Sequence, residues 1–587
     1  MAEPPAWLQA PACGQTVFPA VSHDYDVCVV GSGAGGSPVA LTLARAGYSV
    51  LVLERGPWWH TDDFYKDELA CCLRDVYKPD RRDEPHIIEL EDDDGGWLSQ
   101  STVNSRWNFW NGNCVGGASN FMSGFFHRLK PVDFHLLSEF GPIEGANMAD
   151  WPISYEDLEP YYTRVETEVG VSGRVVSHPH AEPRSTPDFP YPPLQEHPVA
   201  SLLDKAGRKL GYHPFPTSRA ILSRPADGRN SCAYNGGYCG STGCSTAAKG
   251  SARVALLDKA VKTGRCEVRP HALVKRIISD ARGKITGVEY FDQAGKLKQV
   301  DARIYVVACQ AIETAKLLLR STGPKFPRGL ANGSGLVGKN LLFAGGGAGS
   351  GRLLYSKFGR EEARKLAQTG FFINRALQDF YVIDDPSFGP RQKGGTIDFV
   401  HVHPSPVLRA QRQLESNGRL NWGKPLKRIL EEQFRDGVPL KIEAFCDWLP
   451  VDDCFVTLDG ALKDKWGMPV ARVRTGYHVR NLQVGWYLAA KGAQMLKAIG
   501  AEEVISFASG APPTNLLAGT CRFGHDPDTS VLDPHCRANE LDNLYVTDGS
   551  FMPTGGSVPY TWTIYANAFR VADHLVERLG GSRRENI

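Results

Sequence analysis

The sequence predicts an α/β protein built around a parallel sheet, and three observations near the N-terminus support this. Residues 25–30, YDVCVV, form a short valine-rich run, which is typical of a strand buried on both faces. Residues 38–46 have helical character and are followed by Gly47. Residues 48–53 form a second apolar run that ends at Glu54. A strand, a helix and a second strand in this order predict the first unit of such a sheet.

The turn between the first strand and the helix has G-x-G-x-x-G spacing. We expect Gly31 to allow a tight turn, Gly33 to let the backbone approach a pyrophosphate, and Gly36 to let the helix pack closely. The free N–H groups at the helix start can bind phosphate. Glu54, 21 residues after Gly33, can accept a hydrogen bond from a ribose hydroxyl. The stretch therefore predicts a dinucleotide site and leaves both FAD and NAD open.

Length and composition set broader limits. The chain has 587 residues, too many for one compact core, so we expect two or more domains. The net charge of +1 gives no sign of a nucleic-acid partner or of an anionic membrane surface. No apolar run approaches the roughly 20 residues that a transmembrane helix needs. The first residues lack the basic and apolar regions of a secretory signal, which favours a cytoplasmic location.

The region after the second strand is polar and then aromatic. Residues 57–106 include an acidic run at residues 89–94, and we expect a solvated surface excursion there. Residues 107–126 are rich in aromatic residues and glycine, with Gly116 and Gly117 adjacent. Paired glycines among aromatic side chains are suited to a backbone that presses against a flat ligand.

The rest of the chain alternates between predicted strands and helices. Ser154 is a good N-cap for a helix over residues 154–169, and residues 172–230 are predicted to be a long connection. Further strands are predicted at residues 266–268, 273–278, 288–291, 302–307, 396–401, 440–445 and 544–546, and further helices at residues 251–261, 312–319, 484–499 and 564–579.

Two motifs near the C-terminus identify a family resemblance. Residues 519–524 read GTCRFG and are followed by HDP, and residues 543–556 read NLYVTDGSFMPTGG. Together with the N-terminal glycine motif, they resemble the glucose–methanol–choline (GMC) oxidoreductases, flavoenzymes that oxidise alcohols and sugars. The resemblance covers nearly the whole chain. It implies FAD rather than NAD, and a Rossmann-like FAD-binding domain with a second α+β substrate (cap) domain.

The resemblance also implies domain boundaries and cofactor contacts. The expected FAD-binding domain comprises residues 20–56, 107–130, 226–325 and 519–587, and the cap comprises residues 57–106, 131–225 and 326–518. The residues expected to contact FAD by this resemblance are Gly116, Gly117, Val274, Asp548 and Gly549. Asn120 stands in the stretch where some relatives attach the flavin through a histidine. We therefore expect FAD to be bound noncovalently.

Three cysteines resemble a feature of one branch of the family. Cys232, Cys239 and Cys244 precede Ala248 and Lys249, a run similar to that in the large subunits of bacterial gluconate, fructose and glucose dehydrogenases. Those subunits pass electrons to a small subunit and a haem protein, and some carry an iron–sulfur cluster. Thiolates on a glycine-rich loop could ligate a [3Fe-4S] cluster. Three buried thiols, or a zinc site, remain alternatives. The resemblance also implies a protein or quinone-type acceptor, and export with a signal-bearing small subunit as an alternative location.

Both positions that usually carry the catalytic pair are changed. Most family members have a histidine three residues before the glycine of the GTC motif, where this chain has Leu516. A second histidine or asparagine normally follows the DGS segment, where this chain has Pro559. Leucine cannot transfer a proton, and proline offers no side-chain hydrogen bond.

Other polar residues are therefore the candidates for proton transfer. Tyr560 is preferred because it sits nearer the expected face of the flavin, and Asn515, His525 and Thr561 are the alternatives. If none of these acts, His401 or His403 of the predicted cap is next. The first functional hypothesis is a dehydrogenase that moves hydride from an alcohol or sugar hydroxyl to FAD. The alternatives are a flavin-binding electron-transfer subunit without alcohol oxidation, and a flavoenzyme of other chemistry such as a lyase or decarboxylase.

Overall fold

The structure is a computed structural model. It describes residues 25–64, 79–92, 94–105, 109, 112–234, 242–368, 370–402, 405–416, 418–511 and 516–583. Structural statements below concern these residues.

The strands fall into several sheets of different character. In chain order they are Tyr25–Val30 (β1), Val50–Leu53 (β2), Ile87–Glu91 (β3), Trp97–Ser101 (β4), Phe215–Pro216 (β5), Cys266–Arg269 (β6), Leu273–Ser279 (β7), Ile285–Phe291 (β8), Leu297–Val300 (β9), Ala302–Val307 (β10), Leu341–Phe343 (β11), Gly345–Leu354 (β12), Arg375–Leu377 (β13), Val382–Ile383 (β14), Gln392–Lys393 (β15), Gly395–His401 (β16), Glu415–Ser416 (β17), Arg419–Leu420 (β18), Gly437–Cys446 (β19), Cys454–Lys463 (β20), Pro469–Thr475 (β21), Glu502–Ala508 (β22), Leu517–Gly519 (β23) and Leu544–Val546 (β24).

The helices lie between and around these strands. They are Gly36–Arg45 (α1), Leu136–Phe140 (α2), Tyr155–Val165 (α3), Val199–Leu210 (α4), Asp258–Lys262 (α5), Ala311–Arg320 (α6), Arg360–Leu366 (α7), Pro406–Gln411 (α8), Gly423–Phe434 (α9), Val479–Ala498 (α10) and Thr561–Arg578 (α11). Among these described helices, none combines the length and apolar character needed to cross a membrane.

A five-stranded parallel sheet forms the centre of the fold, which confirms the predicted class. Its strand order is β24–β10–β1–β2–β6, and every neighbouring pair is parallel. All six residues of β1 are buried, and helix α1 packs against β1, β2 and β6. The predicted bounds of β1, β10 and β24 match those observed. All five strands lie in the segments assigned to the FAD-binding domain.

A six-stranded antiparallel sheet forms the second layer of the molecule. Its order is β22–β12–β19–β16–β13–β5, and α10 packs across one face. Strand β19 shows why the sheet has two different faces. Leu440 and Ile442 belong to the apolar core with α10, whereas Lys441 and Glu443 line a cavity on the other side. All six strands fall in the predicted cap segments, and the domain boundaries themselves remain a prediction.

The expectation of a solvated excursion over residues 57–106 is wrong for part of that stretch. Strands β3 and β4 pair with each other, and β3 pairs in parallel with β21. Glu89, from the acidic run, is only 7% exposed. Its carboxylate accepts hydrogen bonds from Arg472 Nη1 at 2.6 Å and Arg474 Nε at 2.7 Å. The partners lie almost 400 residues away, so the local sequence gave no sign of them.

The predictions of a helix over residues 154–169 and of a connection over residues 172–230 had different outcomes. The helix capped by Ser154 is confirmed as α3, and Ser154 Oγ accepts a hydrogen bond from Asp157 N at 3.2 Å. The prediction that residues 172–230 are only a connection is wrong, because they contain α4. Leu203 and Ala206 of α4 pack into the core of the antiparallel sheet.

Candidate active site

One cavity of about 550 Å³ lies between the parallel and antiparallel sheets. It begins beside the loops that follow β1, β2 and β10 and ends below β12, β19 and β22. The loops at the carboxyl ends of parallel strands meet at one edge of a sheet, where α/β proteins bind ligands. The cavity therefore has two ends of different origin, described here as the dinucleotide end and the reactive end.

The three glycines of the first turn have different surroundings. A Cβ atom added to Gly31, whose φ is +100°, would lie 2.3 Å from the carbonyl oxygen of Ala308. A Cβ added to Gly36 would lie 2.1 Å from the carbonyl oxygen of Gly31. A Cβ added to Gly33 would have no atom within 4 Å, and Gly33 lines the cavity. Gly31 and Gly36 are thus required by chain packing, whereas the missing side chain of Gly33 leaves room for a ligand.

Glu54 lies at the end of β2 with a fixed carboxylate. Its Oε2 atom accepts hydrogen bonds from Ser32 Oγ at 2.5 Å and Ser32 N at 3.2 Å, and Oε1 accepts from Gly56 N at 2.9 Å. Burial raises the pKa of Glu54, although these hydrogen bonds oppose the shift. Each carboxylate oxygen has capacity for a further donor. The position suits an acceptor for a ribose hydroxyl, as the spacing predicts.

Of the adjacent glycines Gly116 and Gly117, only Gly117 lines the cavity. Gly117 lines the cavity, and a Cβ added there would lie 3.2 Å from the Cα of Gly33. Gly116 does not line the cavity. Asn120 is also turned away, because its amide donates to the carbonyl oxygens of Val115 at 2.9 Å and Gly117 at 3.1 Å. Gly116 and Asn120 therefore shape this loop rather than face a ligand.

The opposite wall of the dinucleotide end is polar. Asp548 lines it, and its Oδ2 atom accepts from Gln310 N at 3.0 Å and Thr314 Oγ1 at 2.5 Å. Gly549 and Val274 also line the cavity. Gln310 lines it too, and its buried Nε2 donor has no hydrogen-bond partner among the described residues. A glycine cradle, an oriented carboxylate and a free buried donor fit a bound dinucleotide.

Leu516 and Pro559, at the two changed positions, both line the cavity. Leu516 has a φ of +58°, and its carbonyl oxygen accepts from Ala344 N at 3.0 Å. Tyr560 lines the same wall and is only 1% exposed. Its hydroxyl is buried and has no hydrogen-bond partner among the described residues. Asn515 lies outside the described residues.

Asp447 lies behind this wall and was missed in the sequence. A Cβ added to Gly555 would lie 2.3 Å from Tyr560 Oη, and Gly555 N donates to Asp447 Oδ1 at 3.0 Å. Asp447 Oδ2 is buried without a partner in the described part of the chain. Burial raises the pKa of Asp447 to about 7, with Lys393 lowering it and Asp133 raising it. Burial and the nearby Asp447 raise the pKa of Tyr560 well above its usual value, so the phenol stays neutral.

A second, small pocket lies on the other side of Asp447. Its volume is about 30 Å³, which is enough for a water molecule. Lys393 and the half-exposed Arg480 also line it. Lys393 Nζ lies 3.2 Å from Asp133 Oδ1 and donates to Ser557 Oγ at 2.6 Å. Polar groups thus continue from Asp447 towards the protein surface.

A charged pair lies in the roof of the reactive end. Lys441 Nζ and Glu443 Oε1 are 2.7 Å apart, and the two side chains are 43% and 30% exposed. Phe445 and Phe507 line the cavity nearby. The sequence predicted a strand at residues 440–445 but not which of its faces meets the cavity. Both residues were therefore missed as candidates.

The histidine candidates lie away from the cavity. His525 is exposed in its loop and does not line the cavity. His401 is half-buried, and its ring meets that of His197 edge to face at 4.7 Å. Burial lowers the pKa of His401 to about 3. The geometry therefore disfavours both as proton acceptors, and His403 lies outside the described residues.

The predicted cysteine site is only partly described. Cys232 and Cys244 pack against one small apolar cluster, and Cys239 lies outside the described residues. Burial acts to raise the pKa of Cys244, but the charge of Lys249 and local hydrogen bonds outweigh it and the pKa is lowered. Within the described ranges, no group of three or more histidine, cysteine or acidic side chains is placed to hold a metal ion.

Comparison with known families identifies the chain. The GMC oxidoreductase family models match residues 93–343 and residues 450–568. The chain belongs to the GMC oxidoreductase family. This confirms the resemblance predicted from the glycine and GTC motifs, and it makes the protein an oxidoreductase. The family and its flavoprotein members imply FAD as the cofactor, which the dinucleotide end fits.

Relatives of known activity span almost the full length of this GMC oxidoreductase. A 2-methyl-1,2-propanediol dehydrogenase of Mycolicibacterium austroafricanum is 32% identical, with 94% of this chain and 95% of the relative covered. A 6'''-hydroxyparomomycin C oxidase of Streptomyces lividus is also 32% identical, with coverage of 96% and 93%. The fructose dehydrogenase large subunit of Gluconobacter japonicus is 27% identical, with coverage of 94% and 98%.

The fold is shared with a solved structure of lower identity. A formate oxidase of Aspergillus oryzae RIB40 superposes with a TM-score of 0.63 at 17% identity, and the match covers 94% of this chain and 98% of that chain. This likeness confirms the GMC-type α/β fold.

Proposed function

We propose that the protein is an FAD-dependent dehydrogenase that oxidises a hydroxyl group of a polyol or sugar. The observation that carries the proposal is the single cavity, which joins a dinucleotide end to a reactive end with charged and ionisable groups. When bound, FAD would supply the acceptor for the hydride that leaves the hydroxyl-bearing carbon. Relatives named for a diol, for fructose and for a paromomycin support a hydroxyl-rich substrate.

Lys441 and Glu443 give the reactive end its selectivity in this proposal. The Lys441 ammonium donates hydrogen bonds and the Glu443 carboxylate accepts them, so together they bind neighbouring hydroxyl groups of one substrate. Phe445 and Phe507 line the same region with apolar surface. A substrate with several hydroxyl groups can hydrogen-bond to both members of this ion pair, whereas a simple hydrocarbon alcohol can hydrogen-bond to only one of them.

Oxidation of a hydroxyl group releases a proton as well as a hydride. We propose that Tyr560 relays this proton and that Asp447 accepts it. The substrate O–H proton passes to Tyr560 Oη, directly or through one water, as the phenol's own proton passes to Asp447 Oδ2 through a bridging water, because these two atoms are not hydrogen-bonded to each other. The phenol is neutral before and after, which agrees with its raised pKa. The carboxyl group ends protonated, and its pKa of about 7 suits a general base near neutral pH.

The proton then has an exit that does not cross the cavity. Asp447 also lines the small second pocket, together with Lys393 and the half-exposed Arg480. A water in that pocket can carry the proton to solvent. This arrangement would let the reactive end stay closed around the substrate while its proton leaves.

The changed positions favour two alternatives, a flavin-dependent enzyme of other chemistry and an electron-transfer subunit without alcohol oxidation. Leu516 and Pro559 both face the cavity, so the usual proton acceptors are absent at those positions. Leu516→His separates the readings, since the cavity has space beside it. New activity on simple alcohols would show that the site has departed from ordinary alcohol oxidation.

Anaerobic mixing with a panel of sugars, polyols and simple alcohols tests the proposed reaction. We expect the visible absorbance of the bound flavin to bleach with at least one sugar or polyol. If dithionite bleaches the flavin but no member of the panel does, the dehydrogenase proposal fails and the alternative chemistry gains support. Acid precipitation of the same protein should release the flavin, because we predict noncovalent attachment.

We propose a protein or quinone-type molecule as the electron acceptor, with a small subunit as a partner. The similarity to a fructose dehydrogenase large subunit supports this proposal. Turnover should be fast with artificial electron acceptors and slow with oxygen. Hydrogen peroxide released at the rate of substrate turnover would contradict it.

The [3Fe-4S] cluster on Cys232, Cys239 and Cys244 is a separate proposal that rests only on the resemblance of the cysteine run. Iron analysis of anaerobically purified protein should give about three atoms per chain if it is correct. The absence of iron, with unchanged turnover in Cys239→Ser, would leave three structural thiols.

A further inference from the structure

The connection between β16 and β19 is much longer than the fold requires. These strands are antiparallel neighbours, and His401 pairs with Leu440. A hairpin of two to five residues commonly joins such strands. Residues 402–436 instead build α8, the small hairpin β17–β18 and α9. None of the described residues of this docking segment, as we call residues 402–436, lines the large cavity.

The docking segment concentrates exposed apolar side chains. Leu420 and Trp422 are 70% and 74% exposed. No described residue of α9 is buried. A shallow groove runs along α9, and the apolar residues that line it, at intervals of four, are Leu426, Leu430 and Phe434. Tryptophan and leucine side chains this exposed mark an interaction surface on a folded protein.

The same segment carries an excess of positive charge. Residues 405–436 contain seven lysine and arginine residues against four acidic ones, in a chain whose net charge is only +1. Glu431 and Glu432 already pair with Arg435 and Arg428. The cations that form no ion pair with a described residue are Arg409, Arg412, Arg419, Lys424 and Lys427. Of these unpaired cations, Lys427 lines the groove of α9.

We propose that the docking segment binds the protein to an anionic lipid membrane. An amphipathic helix with apolar residues on one side and cations beside them binds at the level of the lipid headgroups. Tryptophan is favoured at that level because its ring is apolar and its N–H is polar. Free lysine and arginine residues complement the negative surface of anionic lipids, each strengthening binding about fivefold. The whole-chain net charge of +1 gives no sign of a membrane surface because it averages out this local cluster.

Co-sedimentation of the full-length, flavin-loaded protein with lipid vesicles tests the proposal. We expect binding to vesicles of phosphatidylcholine mixed with phosphatidylglycerol, weaker binding at high salt, and little binding to phosphatidylcholine alone. Trp422→Ala should weaken binding at least about tenfold, since interfacial binding scales with buried apolar area. Lys424→Gln combined with Lys427→Gln should weaken it about 25-fold.

Trp486→Ala is the matched control, because Trp486 is 49% exposed but lies on α10, outside the docking segment. It should leave vesicle binding unchanged. Flavin content and melting temperature should match the wild type in all variants, because the described residues of the segment neither line the cavity nor are buried. Absence of binding to anionic vesicles, or equal effects of Trp422→Ala and Trp486→Ala, would overturn the proposal. Self-association that Trp422→Ala abolishes, without vesicle binding, would instead assign the surface to a second copy of the chain.

Discussion

The two ends of the cavity differ in how the chain builds them. The dinucleotide end is made largely from backbone, with Gly31, Gly33 and Glu54 all within one βαβ unit. The reactive end is made from side chains that come from separate parts of the chain, such as Lys441 and Tyr560. A backbone site requires particular residues at particular local spacings, and a side-chain site requires only that the fold brings groups together. The first kind is therefore visible in a sequence and the second kind is not.

Because of this difference, the residues that would bind the cofactor are distinct from those that would meet the substrate. The dinucleotide end has what a bound dinucleotide needs, independently of the residues that meet a substrate. The reactive end carries leucine and proline where its family usually has polar side chains, and it adds Asp447 behind Tyr560. Variants at the dinucleotide end should therefore lose FAD, whereas variants at the reactive end should keep FAD and react more slowly.

The largest effect is expected at the dinucleotide end, from Gly33→Val. The added side chain enters open cavity space, so we expect complete loss of FAD from a protein that still folds. Flavin absorbance and thermal melting of the purified variant measure both outcomes. Gly31→Ala is the comparison, because its Cβ would meet Ala308 at 2.3 Å and should destabilise the fold itself. A Gly33→Val protein that remains yellow would refute the assignment.

The next effect is expected at the reactive end, from Tyr560→Phe. Removing the hydroxyl interrupts proton transfer, so flavin reduction by substrate should slow about 100-fold while FAD stays bound. Rapid mixing under anaerobic conditions gives the rate. Tyr565→Phe is a matched control, since Tyr565 is an equally buried phenol on α11 that does not line the cavity. Equal rates in the two variants would remove Tyr560 from the proton path.

A smaller effect is expected from Lys441→Met. Loss of a partly exposed charged hydrogen bond should raise KM about tenfold and change kcat less, because the contact is made before the reaction begins. Steady-state kinetics with the best sugar or polyol separate the two constants. Lys465→Met is the control, since Lys465 pairs with Asp83 in a similarly exposed ion pair away from the cavity. A fall in kcat without a change in KM would contradict a binding role.

A separate effect is expected on stability, from Asp447→Asn. The folded pKa of Asp447, about 7, lies above its ordinary value of 3.8, so the folded state binds this proton more tightly than the unfolded state. The free energy of unfolding of the wild type should fall relative to that of Asp447→Asn as the pH rises from about 4 to about 7. Above about pH 7 the difference between the two proteins should stay constant. Denaturant unfolding at several pH values measures the difference. A difference independent of pH would show that Asp447 ionises normally.

Much of the fold could be predicted because its signals are local. Strands β1, β10 and β24 were predicted with their observed bounds, since each is a short apolar run that is largely buried. The roles expected of Gly31, Gly33 and Glu54 match their surroundings for the same reason.

The missed features depend on distant contacts. Asp447 stands in an ordinary stretch after β19, and only its burial beside Gly555, 108 residues away, gives it an unusual pKa. Glu89 looked like a solvated acid until strand pairing brought it to Arg472. Residues 402–436 are polar enough to resemble a loop, and their exposed apolar groove appears only once α9 is folded.

The pH dependence of flavin reduction in Asp447→Asn tests the central claim most directly, namely that the reactive end oxidises a hydroxyl group with Asp447 as the proton acceptor. The wild-type rate should rise as the pH increases through about 7, because the carboxyl group must be ionised to accept the proton. Asp447→Asn should be about 100-fold slower at high pH and should lack that ionisation. Asp464 is another acid whose pKa is raised by burial, and it does not line the cavity. Asp464→Asn should therefore behave as the wild type. An Asp447→Asn protein with the rate and pH profile of the wild type would contradict the account.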